Sequence, residues 1–190
     1  MNIIDVIKSY RNVASFSDRA IEVDKIDRIV KSVNFSPVGT GTLPFKAIVV
    51  SKKSVKQKLR HAAEQVEKAY SHGTGNGEGT NNSDWKKPFL EEASCLIVIC
   101  CTVGQPYQAA TTWLTLGNVL MTASDEGLGV LCYAPSMPTF LKKVLNLPPK
   151  YMPIAIVPLG YPADELFPIS DQKHEKMLRN LFSGRFRWQS

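Results

Sequence analysis

Apolar residues along this chain recur at two spacings, every second position and every third or fourth. Their succession predicts an α+β protein. Near the start, Ile3, Ile4, Val6, Ile7 and Tyr10 share one side of a short helix. A second helix is expected from an N-cap at Asp24, with Ile26, Ile29, Val30 and Val33 at helical spacing and Ser36-Pro37 ending it. Residues 38–44 (VGTGTLP) read as a loop and Phe45 to Val50 as a strand. A third helix spans roughly Lys53 to Tyr70, with Val55, Leu59, Ala62, Ala63 and Val66 on one side and Arg60 and lysines on the other. Pro88 to Ala93 predicts a helical turn, and the run Cys95 to Cys101 (CLIVICC) a strand buried on both faces. Further strands are predicted at 130–133 and 154–160, a helix at 138–145, a loop at 163–172 and a last helix near 174–182.

The stretch from Tyr107 to Met137 organises the rest. Its helix is apolar nearly all round (Ala109, Ala110, Trp113, Leu114, Leu116, Val119, Leu120, Met121, Ala123), so it belongs mid-domain, with Trp113 in the core. Interspersed threonines and Asn118 argue against a membrane span. Gly117 costs roughly 1 kcal/mol against alanine in a helix interior, a cost that close approach of another backbone would offset, such as the same helix of a partner subunit. Gly127 ends the helix, Gly129 follows, and Pro135 stops the next strand.

The 190 residues read as one domain with an ordinary 44% hydrophobic and 21% charged composition. The opening MNIIDVIKSYR lacks the form of a signal peptide, and no run is long and apolar enough for a bilayer, so a cytoplasmic protein is expected. Cys95, Cys100, Cys101 and Cys132 match no zinc or disulfide pattern and read as buried thiols. The net charge of +6 favours anionic partners, a phosphate-bearing cofactor among them. Residues 71–84 (SHGTGNGEGTNNSD) lack an apolar anchor and read as a flexible lid. They are not a dinucleotide loop, since Glu78 takes the third glycine place and no strand precedes. The tail at 183–190 carries Phe186 and Trp188 among arginines, too aromatic to hang in water, and is expected to pack on a partner subunit.

No hydrolase motif or metal-ligand spacing surrounds the three histidines, His61, His72 and His174. A chain without side-chain catalysts can still be an enzyme when a cofactor carries the reaction, as flavins do.

The ordered set of an apolar helix ending in Gly127-Leu128-Gly129, a short strand, the helix TFLKKVLNLPP and a strand ending in Leu159-Gly160-Tyr161-Pro162 resembles the nitroreductase-like family of FMN-dependent oxidoreductases. In outline it is most similar to the branch of iodotyrosine deiodinases and dimethylbenzimidazole synthases. The resemblance implies a mixed, mainly antiparallel sheet of four to five strands covered by helices, with the C-terminal tail exchanged across a homodimer. It implies FMN as cofactor, NADH or NADPH as electron donor and a small aromatic acceptor, with no catalytic side chain, metal, nucleic acid or membrane. The family's Arg-Arg-Ser-x-Arg run, which grips phosphate and ribityl, falls on Tyr10, Arg11, Asn12, Val13 and Ala14. Its Ala-Pro-Ser-type signature falls on Ser36 onwards, assigning Pro37, Val38, Gly39 and Gly41 to the cofactor. The strand at the flavin's reactive edge is Cys132, Tyr133 and Ala134, and Lys173 reaches phosphate, with Lys176 and Arg179 nearby. Tyr70 and Trp85 are the expected substrate-stacking residues. Tyr10 and Ala14 replace two family arginines, and each lost charge-assisted hydrogen bond is worth about 1.5–3 kcal/mol. That departure motivates an alternative, a degenerate member that binds flavin or another ligand weakly without catalysis. Nucleic-acid binding through Arg179, Arg185, Arg187, Phe186 and Trp188 is a further possibility, with no recognised motif behind it.

Overall fold

The protein is described by a computed structural model, covering residues 2–36, 44–73, 85–104 and 107–163. The expectations for Pro37, Val38, Gly39, Gly41, Lys173, the helix near 174–182 and the tail at 183–190 lie outside these residues. The helices are α1 (Ile3–Ser9), α2 (Val23–Ser32) with a 3-10 turn (Val33–Phe35), α3 (Lys53–Gly73), α4 (Phe89–Glu92), α5 (Gln108–Asp125) and α6 (Thr139–Val144). The strands are β1 (Phe45–Val50), β2 (Cys95–Thr102), β3 (Gly129–Val130) and β4 (Tyr151–Gly160). They form one four-stranded sheet in the order β1-β2-β4-β3, with every strand pair antiparallel.

Why β2 is an unbroken apolar run follows from the period of two along a strand. Ile97 and Ile99 face one core with Ala155, Val157 and Leu159, beneath Ile29 and Val33 and against Leu116, Val119 and Ala123 of α5. Leu96, Val98 and Cys100 face a second core with Ile156, covered by Leu59 and Ala63 of α3, Leu90, and Phe140 and Leu141 of α6. Both faces are dry, so no position alternates to polar. Each such Leu or Ile contributes about 1.5–3 kcal/mol by burial. The register shifts between Ile99 and Cys100, where Pro153 faces Cys100. Proline has no N–H for the ladder, and a bulge is where a strand tolerates it.

Several expectations are corrected. Glu22, not Asp24, occupies the N-cap position of α2; Asp24 lies in the first turn and pairs with Arg28 at 2.8 Å. Helix α3 runs past Tyr70 to Gly73, so the predicted loop at 71–84 begins too early, and residues 74–84 lie outside the described ones. The predicted strand at 130–133 is a two-residue strand, Gly129–Val130, plus an isolated bridge from Tyr133 to Ile156. Strand β4 starts at Tyr151, ahead of the expected 154. Trp113 is not core: it is 47% exposed beside Leu114 at 55%. Among the described residues nothing covers the face of α5 that carries them, and a hydrophobicity pattern cannot tell such a face from one buried in a core.

Inside α5 two of the buried hydroxyls are satisfied within the helix. Thr112 donates to the Gln108 carbonyl at 2.6 Å, and Thr115 to that of Thr111 at 2.9 Å. Gly127 ends the helix with φ of +73°, in the left-handed region. Lys56 of α3 is buried, and its ammonium donates to the main-chain carbonyls of Glu91 and Ala93, capping the short α4. Among the described residues, no helix is long and apolar enough to cross a membrane.

Candidate functional site

The segment following α1 is pressed across the ends of β3 and β4. Val13 donates its N–H to the Val130 carbonyl at 2.8 Å, Ser17 to Tyr161 at 2.8 Å, and Ala163 returns one to Ser15 at 3.1 Å. Bridges join Asn12 to Val130 and Phe16 to Pro162. Two of the motif glycines, Gly129 and Gly160, stand where this segment comes closest. A Cβ on Gly129 would lie 2.9 Å from the Val13 methyls, and one on Gly160 2.7 Å from Cδ1 of Phe16. The next motif residue fastens the far end. Tyr161 donates its hydroxyl to Glu22 at 2.6 Å and accepts from Lys25 at 3.1 Å, under the Arg19 guanidinium 3.8 Å from its ring centroid. The hydrogen bond from Tyr161 leads the causes that hold the Glu22 carboxyl down at about 2.

This clamp brings the first and third predicted groups together. Tyr10 caps α1, half-buried against the same core as Cys132, and its hydroxyl donates to Asn12 Oδ1 at 2.6 Å. Burial, and then the nearby Cys132, raise the Tyr10 phenol above its ordinary pKa. Arg11 folds back, Nη1 donating to the carbonyls of Lys8 at 2.5 Å and Tyr10 at 2.6 Å. Its Nε is buried with no hydrogen-bond partner among the described residues. A buried cationic donor lacking an acceptor is costly, and a phosphate or hydroxyl oxygen is the kind of group that satisfies it. The donor set of Arg11 with Asn12 therefore fits FMN. Asn12 and Ala14 are exposed.

Past β3, Cys132 and Tyr133 pack against different cores. Cys132 lies on the Tyr10 side, half-buried, with its thiol pKa raised by burial, and Ala134 is exposed. Cys95 and Cys100 are pushed up by burial to about 11 and about 12, which makes them inert packing thiols. Tyr133 turns the other way into the second core, its ring edge-on to Phe89 at 5.5 Å. Its hydroxyl donates to Glu67 Oε1 at 2.8 Å, so the phenol is committed to α3. Glu67 also accepts from the Ser136 N–H at 3.0 Å and hydroxyl at 2.8 Å. Sequence reasoning missed Glu67, for which a charged position on a helix face gives no signal.

Burial alone would raise the Glu67 carboxyl, but the hydrogen bonds from Ser136 and Tyr133 outweigh it and leave the pKa below 4.5. The folded value is depressed, so Glu67 contributes stability above pH 4.5 that is lost as the pH falls through the folded value. Glu67→Gln should remove that part of the acid sensitivity, measured as the urea midpoint against pH; an unchanged profile would contradict it.

Tyr70 is half exposed near the end of α3, and Trp85 is partly buried, with the ammoniums of Lys68 and Lys86 at 5.3 and 5.8 Å from its ring. Lys87 lies 6.0 Å from the Tyr133 ring and donates its N–H to Glu64 at 2.9 Å. Among the described residues, no group of three or more His, Cys, Asp or Glu is placed to hold a metal ion.

A sequence model of the nitroreductase family matches residues 7–161. The chain belongs to the nitroreductase family. An iodotyrosine deiodinase of Haliscomenobacter hydrossis is 33% identical over 169 residues, covering 81% of this chain and 76% of that one. One of Thermotoga neapolitana is 27% identical over 164 residues, covering 84% and 88%. The crystal structure of an oxidised iodotyrosine deiodinase bound to FMN and 3-iodo-L-tyrosine superposes with a TM-score of 0.79 at 26% identity, over 88% of this chain and 93% of that one. Membership of the nitroreductase family, with these relatives, indicates an FMN-dependent enzyme.

Proposed function

We propose that this nitroreductase-family chain is an FMN-dependent oxidoreductase that takes reducing equivalents from NADH or NADPH and passes them to a small aromatic acceptor. The observation that carries the flavin assignment is the buried Arg11 Nε, which lacks an acceptor among the described residues, on a segment clamped beside Cys132. Arg11 and Asn12 would hold phosphate and ribityl, with Lys173 as a further cation, while Pro37, Val38, Gly39, Gly41, Cys132 and Ala134 would line the ring. FMN supplies the hydride and electron chemistry when bound; the side chains bind and orient it. Tyr10 and Tyr133 act differently: the phenol of Tyr10 positions Asn12, and that of Tyr133 is held by Glu67.

For the acceptor, the deiodinase relatives favour a halogenated phenolic amino acid. Tyr70 and Trp85 offer aromatic faces, and the lysines around Trp85 suit a carboxylate. The test is anaerobic turnover of FMN-loaded protein with 3-iodo-L-tyrosine and with a nitroaromatic, supplied with NADH, NADPH or dithionite. Iodide release coupled to nicotinamide oxidation supports the whole reading. Release with dithionite alone removes the nicotinamide, and loaded protein inert to both acceptors leaves the degenerate binder.

The active unit in this reading is a homodimer. Ile3, Ile4 and Ile7 of α1 and Trp113 and Leu114 of α5 are all exposed, more large apolar surface than two neighbouring helices of a monomer normally show. Among the described residues, no atom outside its own helix lies within 4 Å of where a Cβ on Gly117 would stand, which leaves room for a partner's helix. Leu114→Glu should sediment as a monomer while wild type sediments as a dimer, with FMN affinity falling at least tenfold; a dimeric variant would refute this interface.

A further inference from the structure

The carboxylate of Glu67 is bonded in a way that the proposed chemistry does not require. It lies on α3, yet its three hydrogen bonds among the described residues reach across to one short stretch, the Tyr133 hydroxyl and both the N–H and hydroxyl of Ser136. Besides these bonds the stretch is held by the Leu131 N–H on the Pro158 carbonyl at 3.3 Å and by burial of Tyr133 and Pro135. After Val130 the regular ladder ends, and Tyr133 holds the sheet through a single isolated bridge, its N–H to Ile156 at 2.9 Å and its carbonyl accepting from Ile156 at 2.8 Å. Residues 134 and 136 are exposed. An irregular segment leaving a sheet edge opens at low cost unless something ties it down. Here the side-chain tie that reaches both Tyr133 and Ser136 is the Glu67 carboxylate, aided by Phe89 against the Tyr133 ring. Tyr133 packs in the α3-side core and Cys132 against the opposite one, so pinning Tyr133 also restrains the main chain that carries Cys132 and Ala134.

We infer that Glu67 is a positioning residue: by gripping Tyr133 and Ser136 it sets the place of the Cys132–Ala134 main chain beside which the flavin is proposed to sit. This rests on the FMN reading for its consequence, but not for the clamp itself. Glu67 holds the segment before any substrate arrives, so its removal alters the empty protein and the flavin-loaded, substrate-free protein alike. Lys87, near the Tyr133 ring, adds a positive charge on the side facing the carboxylate's partner, and the Ser136 N–H completes a polar lining that favours ionised Glu67.

The test is Glu67→Gln, with Tyr133→Phe as a milder variant, in the full chain. Hydrogen exchange of the flavin-free protein should show the amides of Tyr133, Ser136 and Ile156 exchanging about tenfold faster in Glu67→Gln, as loss of hydrogen bonds to a charged acceptor implies. Exchange in β2 should stay unchanged, which separates loss of the clamp from general loosening. With FMN added, the visible bands should shift relative to wild type and the dissociation constant rise by roughly tenfold. Tyr133→Phe should give the same changes at smaller size. Unchanged exchange at these amides overturns the clamp. Faster exchange with an unaltered flavin spectrum and affinity overturns the positioning role, as does a variant changed only in KM for the acceptor. Failure of wild type itself to bind FMN would instead overturn the proposed function, leaving the exchange result to judge the clamp alone.

Discussion

Gly160→Ala is expected to destabilise the protein by about 1–3 kcal/mol, the usual cost of overpacking, and to weaken FMN binding at least tenfold. The new Cβ would sit 2.7 Å from Cδ1 and 3.2 Å from Cγ of Phe16. Phe16 is buried against the second core and bridged to Pro162, so its ring cannot swing clear without lifting the segment that carries Arg11 and Asn12. Stability and cofactor affinity should therefore fall together. Urea denaturation and fluorescence titration with FMN check the two arms. Combining Gly160→Ala with Phe16→Leu should cost less than the sum of the single changes, since the two positions share one contact. The same logic pairs Gly129→Ala with Val13→Ala, whose methyls stand at 2.9 Å. Additive costs in both pairs would show that these glycines are not there for close approach.

The second large effect is expected at the phosphate end. Arg11→Ala should raise the FMN dissociation constant by about 10- to 150-fold, the equivalent of 1.5–3 kcal/mol for a charge-assisted hydrogen bond. Some loss of stability will accompany it, because Nη1 also caps the Lys8 and Tyr10 carbonyls at the end of α1. The opposite change separates these roles. Ala14 is exposed, so an arginine there can be added without repacking, and it restores a cation that the family motif carries. Ala14→Arg should tighten FMN by up to about tenfold and steepen the dependence on salt, with stability nearly unchanged. Equal affinity in wild type, Arg11→Ala and Ala14→Arg would remove the phosphate from this corner of the fold.

How much of this was legible in the sequence depended on the kind of signal. Strand β2 was legible in full, because a seven-residue apolar run leaves few alternatives to a doubly covered strand. Gly127 was legible as a helix stop by its place after α5. The roles of Gly129 and Gly160 were not, since what each excludes is a side chain more than a hundred residues away. Trp113 misled, because a face awaiting a partner and a face in a core share one composition. Tyr133 was singled out by motif, yet its side chain faces α3, a direction set by packing against a distant helix that a four-residue motif does not state. Glu67 left no trace at all, being one of several charges on a helix whose pattern is explained without it.

The most direct measurement is the visible absorbance spectrum of the freshly purified full chain, followed by titration with FMN. The account predicts a yellow protein with the two flavin bands, or a colourless one that gains them and quenches FMN fluorescence at stoichiometric cofactor. A protein that stays colourless, leaves FMN fluorescence unaltered and behaves identically after Ala14→Arg would contradict the flavin assignment.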